Sequence, residues 1–214
     1  MILKDHTSPR GKKLCCYFFL AILFLFAVSC AHTSNINPGK YTDWADILDE
    51  LEIIQPLSLS KYSRILILPL DTSSTPLPDN DDNSYKPVTN ILSRVDGIFM
   101  EGMKRKLEDL KNISIESSKS PLSPDSGVLL VRGKVTAMNP GSRALRYFVG
   151  FGVGSSIAGI QGEVVDAQSG NVFLKFKHAR ASSAGAFGGN YEKLMTNDTN
   201  NVAEDIGKML LKFR

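Results

Sequence analysis

Residues 162–177 read GEVVDAQSGNVFLKFK and contain two apolar runs separated by a short polar stretch. In the second run Val172, Leu174 and Phe176 recur at every second position and Lys175 and Lys177 take the outward positions, which predicts a strand with one buried and one exposed face. Gly170 and the asparagine after it stand between the runs, where a tight turn favours residues that tolerate a positive φ. The stretch therefore predicts a β-hairpin, and with it a sheet at the centre of the fold.

Further strands and helices are predicted on both sides of this hairpin. The continuous apolar run at 64–70 is typical of a strand buried on both faces, and residues 128–138 alternate like a half-buried strand with Ala137 facing inward. Apolar residues at helical spacing predict one long helix over 86–110 and another over 199–213. Together with a short strand candidate, this order predicts a single α/β (α+β) domain. A mixed sheet of about four or five strands is covered by two long amphipathic helices.

The predicted domain spans residues 60–214 and is preceded by a helix and linker at 42–59. The short strand candidate lies at 112–117. Apolar residues recur before the domain at helical spacing, with Asp and Glu between them: Trp44, Ile47, Leu48, Leu51 and Ile54. We expect this acidic amphipathic helix to pack on the domain, and a partner-binding helix is the alternative.

The first 29 residues have the layout of a secretory signal peptide. Four basic residues and one acidic residue account for the whole formal net charge of +3, and an apolar run over 14–28 follows them. This run is shorter than the roughly 18–20 residues that a membrane-spanning helix needs, although an uncleaved signal anchor is the alternative. Residues 30–214 are neutral on balance and offer no electrostatic footprint for a polyanion, so we expect no nucleic-acid partner.

The sequence AVSC at 27–30 resembles the lipobox of bacterial lipoproteins, in which the cysteine is acylated and becomes the first residue. A leucine is usual three positions before that cysteine, where this chain has Ala27. Cysteine usage agrees with the resemblance, because Cys15 and Cys16 lie in the apolar run and Cys30 would be the sole thiol of the mature chain.

Lipidation at Cys30 would make the membrane a partner of this protein. Two or three acyl chains such as palmitate anchor a protein stably, and residues 30–41 would form a flexible lipidated tether. By resemblance to lipoprotein sorting, Ala31 after the cysteine favours the periplasmic face of the bacterial outer membrane.

A wider resemblance covers roughly residues 60–213. The segment resembles Gly-Ser-x-x-x-Arg…Gly-Phe-Gly-x-Gly of uncharacterised bacterial lipoproteins grouped as a domain of unknown function, matched here by Gly141, Ser142, Arg146, Gly150, Phe151, Gly152 and Gly154. More loosely, the strand–helix–strand order and the hairpin look like periplasmic envelope-assembly lipoproteins such as the curli secretion protein. The resemblance implies a location and a fold, and it supplies no catalytic residues.

The glycine-rich part of that segment admits three interpretations. It is a candidate contact or structural bend formed by Arg143, Arg146, Gly150, Gly152 and Gly154. A bend of the sheet is favoured, because glycines at alternate positions let another backbone approach closely. A contact with a partner or within a homo-oligomer, and membrane insertion, are the alternatives. The spacing matches neither a P-loop nor a dinucleotide fingerprint, so no cofactor is expected.

Residues suited to catalysis are sparse. His178 is the one histidine of the predicted domain, and its place near a strand end predicts an exposed side chain rather than a general base. With one histidine and no thiol, no metal site is expected. Asp71 and Asp166, both at predicted strand ends, are the candidates for a carboxylate-based hydrolase. We expect a non-enzymatic lipoprotein that binds or assembles envelope components, with a subunit of a secretion-pore-like oligomer and the hydrolase as alternatives.

If the glycine-rich segment is a bend, Gly152→Val should destabilise the domain itself by about 1–3 kcal/mol, because a branched side chain enters a place without room. Arg146→Ala should also lower stability if that arginine secures the bend. Thermal melts of the chain without residues 1–30 measure both effects. An unchanged melting midpoint for Gly152→Val, together with lost association with membrane assemblies, would instead identify a contact surface.

Overall fold

A mixed sheet and three helices make up the part of the chain that the structure describes. This computed structural model describes residues 36–118, 126–140, 155–183 and 190–214, and Ile36–Arg214 forms one compact unit. The strands are β1 (Gly39–Trp44), β2 (Leu48–Ile53), β3 (Arg64–Ile67), β4 (Ser114–Ser117), β5 (Val128–Asn139), β6 (Ser155–Asp166) and β7 (Val172–Ser183). The helices are α1 (Tyr85–Leu92), α2 (Val95–Leu107) and α3 (Tyr191–Leu211), with a 3-10 turn at Leu59–Lys61. The strands form one seven-stranded sheet in the order β1-β2-β7-β6-β5-β3-β4.

The centre of the sheet is an antiparallel arrangement of β5, β6 and β7, each 12 residues long. The predicted hairpin is confirmed, since β6 and β7 are joined by a turn in which Gly170 has a φ of +73°. Asp166 stabilises this turn by accepting the N–H of Ser169 at 2.7 Å. Leu174 and Phe176 are buried and the neighbouring lysines are exposed, as the alternation predicts. Val172, predicted on the same face, instead packs with Val165 on the other face, because the register shifts between Val164 and Val165. β3 runs parallel to both β4 and β5, which makes the sheet mixed.

The helices share one hydrophobic core with one face of the sheet. Each helix buries the stripe that its sequence spacing predicts, including Ile91 of α1, Phe99 and Met103 of α2, and Val202 and Ile206 of α3. The expected architecture, one mixed α+β sheet with helices on it, is confirmed. The expected numbers, four or five strands and two helices, are too low. None of the described helices combines the length and the apolarity that a membrane span requires.

The long helix predicted over 86–110 is instead two helices, α1 and α2, with a break at Ser93 and Arg94. The hydroxyl of Ser93 donates to the carbonyl of Asn90 at 2.8 Å, and the N–H of Arg94 bonds the carbonyl of Ile91, three residues back. These bonds replace the regular helical ladder. The apolar spacing continues across the break, which is why the sequence pattern does not reveal it.

The helix predicted at 42–59 is wrong, because these residues form the antiparallel strands β1 and β2 and a following loop. β2 pairs with β7, so that Leu51 lies opposite Phe176. Leu48, Leu51 and Ile53 are buried in the core, a spacing that fits a helix nearly as well as a strand. Pairing with β7 decides between the two, and this pairing is not visible within the segment itself.

The opposite face of the sheet carries a row of alternating charges across five strands. The residues lie side by side in the register of β1, β2, β7, β6 and β5, in the order Lys40, Glu52, Lys175, Glu163 and Arg132. Lys40 lies 3.6 Å from Glu52, and Arg132 lies 2.5 Å from Glu163. Exposed pairs of this kind add little stability, so the row mainly keeps this face of the sheet hydrated.

The same face is apolar around β3. Leu66, Val128, Leu130 and Val165 form a second, smaller cluster of buried residues there. Since Ile65 and Ile67 belong to the main core, β3 is buried on both faces, as its continuous apolar sequence predicts.

Helices α2 and α3 are in close contact through small residues. A Cβ added to Gly102 would lie 2.6 Å from the Cβ of Ala203, and one added to Gly207 would lie 2.8 Å from the Cβ of Lys106. The second contact lies four residues after the first on both helices, so the two helices run in the same direction. The pairing leaves no space for a side chain at Gly102.

Gly102→Val should therefore destabilise the protein by about 1–3 kcal/mol or more, since the added side chain forces α2 away from α3. Gly97 of the same helix is the matched control, because a Cβ there has nothing within 4 Å. Gly97→Val should change stability by less than about 0.5 kcal/mol. Urea unfolding of the two variants measures the difference, and equal midpoints would contradict the close helix contact.

Candidate functional site

The sequence-predicted site residues Cys30, Arg143, Arg146, Gly150, Gly152 and Gly154 lie outside the described residues, as does the signal peptide. Their roles therefore stay predictions. The strands on either side of the glycine-rich segment are described, and they are neighbours: Asn139 of β5 pairs with Ile157 of β6. Near this end of the sheet the structure places polar side chains that face α3, of which four are buried, Ser182 is half-buried and Arg180 is exposed.

We call these side chains the polar cluster. It consists of residues from β6, β7 and α3: Ser156, His178, Arg180, Ser182, Asp198 and Asp205. Alternate residues of β7 point to one face of the sheet, which brings His178, Arg180 and Ser182 to α3. The two aspartates are seven residues apart, two turns of α3, so both face the sheet. The cluster thus follows from the two periodicities of strand and helix.

His178 is buried, with 4% of its surface exposed, and the predicted exposed position is wrong. Its Nε2 lies 3.1 Å from Oδ2 of Asp205, and its Nδ1 accepts the N–H of Asp49 at 3.3 Å. The same Nδ1 also lies 3.3 Å from Oδ2 of Asp49, so the imidazole stands between two carboxylates. Both ring nitrogens therefore have partners within the fold.

Asp205 is buried and is the acceptor for three side chains. Besides His178, Arg180 donates from Nε at 2.6 Å and Lys208 donates from Nζ at 2.7 Å. Burial opposes the charge of this carboxylate, but the hydrogen bonds from Lys208, Arg180 and His178 outweigh it and lower the pKa of Asp205 below its ordinary value. Asp205 is therefore an ionised anchor that holds β7 to α3.

Asp198 has the opposite environment. It is fully buried and accepts hydrogen bonds from the hydroxyls of Ser156, at 2.5 Å, and Ser182. Burial raises the pKa of the Asp198 carboxyl, and the neutral serine donors only partly offset this effect. Sequence analysis missed both aspartates. The available signal was their place among Met195, Val202 and Ile206 on the apolar stripe of α3, where charged residues are unusual.

A polar groove of about 320 Å³ opens beside the cluster, between β7 and α3. Its walls include Arg180 and Ala181 from the strand and Glu204 and Lys208 from the helix. Glu204 is paired with Arg105 on α2 at 2.5 Å. In the described ranges, no group of three or more His, Cys, Asp or Glu side chains is arranged to hold a metal ion. The described walls of the groove offer hydrogen bonds and compensated charges.

The two carboxylates considered for hydrolysis are not brought together. The N–H of Asp71 bonds the carbonyl of Gly133, whereas Asp166 lies opposite Leu129. These two positions on β5 are separated by about 13 Å along the strand at roughly 3.3 Å per residue. Asp71 accepts the N–H of Ser73 at 2.8 Å, and Asp166 closes the β6–β7 turn. Both carboxylates stabilise local turns.

Comparison with known proteins gives a family match for part of the chain. The sequence model of a domain of unknown function (DUF4410) matches residues 93–186, from the break between α1 and α2 to just beyond β7. The expected resemblance to a domain of unknown function is confirmed over this range. Comparison with the curated proteins gives no match.

Several solved structures are similar in fold at low identity. The PelC dodecamer from Paraburkholderia phytofirmans is 10% identical, with a TM-score of 0.42 over 72% of this chain and 96% of that chain. A DUF330 protein from Xanthomonas campestris is 11% identical, with a TM-score of 0.40 over 71% of this chain and 85% of that chain. A Caulobacter crescentus protein described as a candidate lipoprotein is 10% identical, with a TM-score of 0.34 over 71% and 88%. At these identities the similarity concerns the fold alone.

Substitution of the two aspartates should have opposite consequences for the pH dependence of stability. Asp205→Asn should cost about 1–3 kcal/mol near neutral pH, because His178, Arg180 and Lys208 lose their charged acceptor. Since the folded state lowers the pKa of Asp205, the stabilisation that the variant lacks is present above the ordinary value of 3.8 and is lost as the pH falls through the folded value.

Asp198→Asn is the matched substitution on the same helix. Because the folded state raises the pKa of Asp198, wild-type stability falls as the pH rises from 3.8 through the folded value, and the asparagine variant should lack this loss. Its stability near neutral pH should change by less than about 1 kcal/mol, since the amide still hydrogen-bonds the serines. Urea unfolding between pH 3 and 8 tests both variants. Identical pH profiles would contradict the contrast between the two sites.

Proposed function

We propose that this chain is an outer-membrane lipoprotein, anchored through lipid on Cys30, whose domain acts in the periplasm as a non-catalytic binding or assembly component. The observation that carries the proposal is the sequence AVSC with Cys30 as its last residue. All three cysteines lie at or before position 30, so the compact unit that begins at Ile36 contains none. A chain without another thiol suits an oxidising compartment once Cys30 is acylated.

The start of the first strand sets the reach of the anchor. β1 begins at Gly39, inside the range 30–41 predicted as the tether, so eight residues, 31–38, separate Cys30 from the sheet. Fully extended, they span about 28 Å at roughly 3.5 Å per residue. Lipid on Cys30 would therefore keep the start of β1 within roughly this distance of the membrane surface.

The polar cluster supports a role without catalysis. Its histidine uses both ring nitrogens within the fold, and its two aspartates are held by donors from β6, β7 and α3. The groove beside it can present hydrogen-bonding groups to a partner. A binding or assembly role uses such a surface, whereas acid–base catalysis needs a group that is free to exchange a proton with a substrate.

Metabolic labelling with palmitate tests the anchor. Wild-type protein should incorporate the label and fractionate with the outer membrane, whereas Cys30→Ala should remain an unlabelled precursor. Cys16→Ala is the matched control, since it removes a cysteine of the apolar run and should label like wild type. Label in Cys30→Ala equal to that in wild type would contradict the proposal.

A further inference from the structure

The edge of β7 is only half covered by β2. β7 spans Val172–Ser183, but β2 pairs with it over residues 174–177. On its other side β7 pairs with β6 along its whole length, up to Ser183 opposite Ser155. Residues 178–183 of β7 therefore pair with β6 on one side and with no strand of the described chain on the other. Ala181 in this part of β7 is exposed at the mouth of the polar groove.

The direction of the free backbone groups of β7 follows from a contact with Asp49, at the start of β2. The side chain of Asp49 accepts the N–H of Ala179 at 2.8 Å, so this N–H points away from β6. Backbone groups alternate along a strand, and Ala181 therefore directs its N–H and C=O to the same open side. No hydrogen bond to these two groups occurs in the described part of the chain. An open row of this kind is a template for pairing with another strand.

We propose that this edge pairs with the same edge of a second copy of the chain, antiparallel and centred on Ala181. A twofold axis at Ala181 lets the two copies exchange a pair of N–H···O=C bonds between their Ala181 residues. The carbonyl of each Ala179, which Asp49 leaves free, accepts the N–H of Ser183 of the other copy. The hairpin of β1 and β2 in each copy limits the pairing to residues 179–183.

Charge and size favour a second copy as the occupant. In this register Arg180 lies opposite Ser182 of the other copy, so no like charges face one another across the twofold axis. The charge of Arg180 is already compensated by Asp205 at 2.6 Å. The outward side chains at 179 and 181 are methyl groups, which allow close approach. The two outer edges of the sheet are less suited, since β4 has four residues and β1 carries the exposed charge of Lys40.

Disulfide crosslinking of the full-length protein in native membranes tests the pairing. Residues directly opposite in an antiparallel pair have Cβ atoms about 4.5–5.5 Å apart, close to the separation in a disulfide. Ala181→Cys should therefore give a reducible product of twice the chain mass on mild oxidation. Gln168→Cys, in the exposed turn at the other end of the β6–β7 hairpin, is the matched control and should remain monomeric.

Other outcomes overturn the proposal. A monomeric Ala181→Cys protein, or equal crosslinking of the two variants, shows that the edges do not meet. A product of any other mass shows that a different protein occupies the edge. Wild type that dimerises under the same oxidation retains a free cysteine at or before position 30, a failure of the proposed processing and lipidation rather than of the pairing.

A second variant removes the central hydrogen bonds. Ala181→Pro deletes an N–H that faces away from β6, so the β6–β7 ladder loses no bond, whereas the pairing loses both bonds at the twofold axis. Ala181→Ser keeps the N–H and serves as the control. Sedimentation of the detergent-extracted protein should show loss of the dimer for Ala181→Pro and its retention for Ala181→Ser. A proline variant that melts and sediments like wild type would also overturn the proposal.

Discussion

The packing of α3 across the β6–β7 hairpin is the interaction on which the rest of the structure depends. One side of α3 buries Val202, Ile206 and Leu210 in the core, and its contact with α2 is close enough to require glycine at position 102. The end of the helix joins the N-terminal strands to this core. Phe213, just after α3, stacks on Trp44 with ring centroids 6.1 Å apart. Through α3, elements from both ends of the described chain stabilise one another.

The same helix combines apolar packing with two buried carboxylates, and their donors decide how each behaves. Asp205 receives hydrogen bonds from two cationic side chains, which favour its charge despite burial. Asp198 receives them from two serines, which are neutral and compensate burial only in part. Two residues of one type, two turns apart on one helix, thus shift in pKa in opposite directions. The charge of the hydrogen-bond donors, rather than burial alone, decides in which direction the pKa of each aspartate shifts.

Elements whose pattern is local could be predicted from the sequence, and elements decided by distant partners could not. The β6–β7 hairpin and both faces of β3 follow from alternation and turn residues alone. The alternation predicts that Ala137 faces the core, but a bulge between Val135 and Ala137 shifts the register, and Met138 is the fully buried residue. The strands β1 and β2 were missed because the spacing of Leu48 and Leu51 suits a helix. The feature that indicates a strand is the pair Glu50 and Glu52, which lie opposite Lys177 and Lys175 of β7.

The candidate site was less accessible to sequence reasoning than the fold. The position of His178 near a strand end predicts exposure, but that position does not show which helix packs on the strand. The helix that covers His178 is α3, and its Asp205 lies 27 residues further along the chain. The two aspartates could have been found as charged residues on an apolar stripe, but their donors on β6 and β7 could not. Burial of polar groups is a property of the assembled layers.

The turn between β1 and β2 lies beside the polar cluster and the open edge of β7. Asp43, Ala45 and Asp46 all have positive φ values, of 48°, 53° and 56°. A left-handed conformation costs a residue with a side chain roughly 1–2 kcal/mol, although aspartate adopts it more readily than alanine. The chain thus accepts strain in order to reverse direction at this point, and Asp49, just beyond the turn, contacts His178 and caps Ala179. A longer hairpin would cover Ala181 and close the groove. The strained turn instead leaves both accessible.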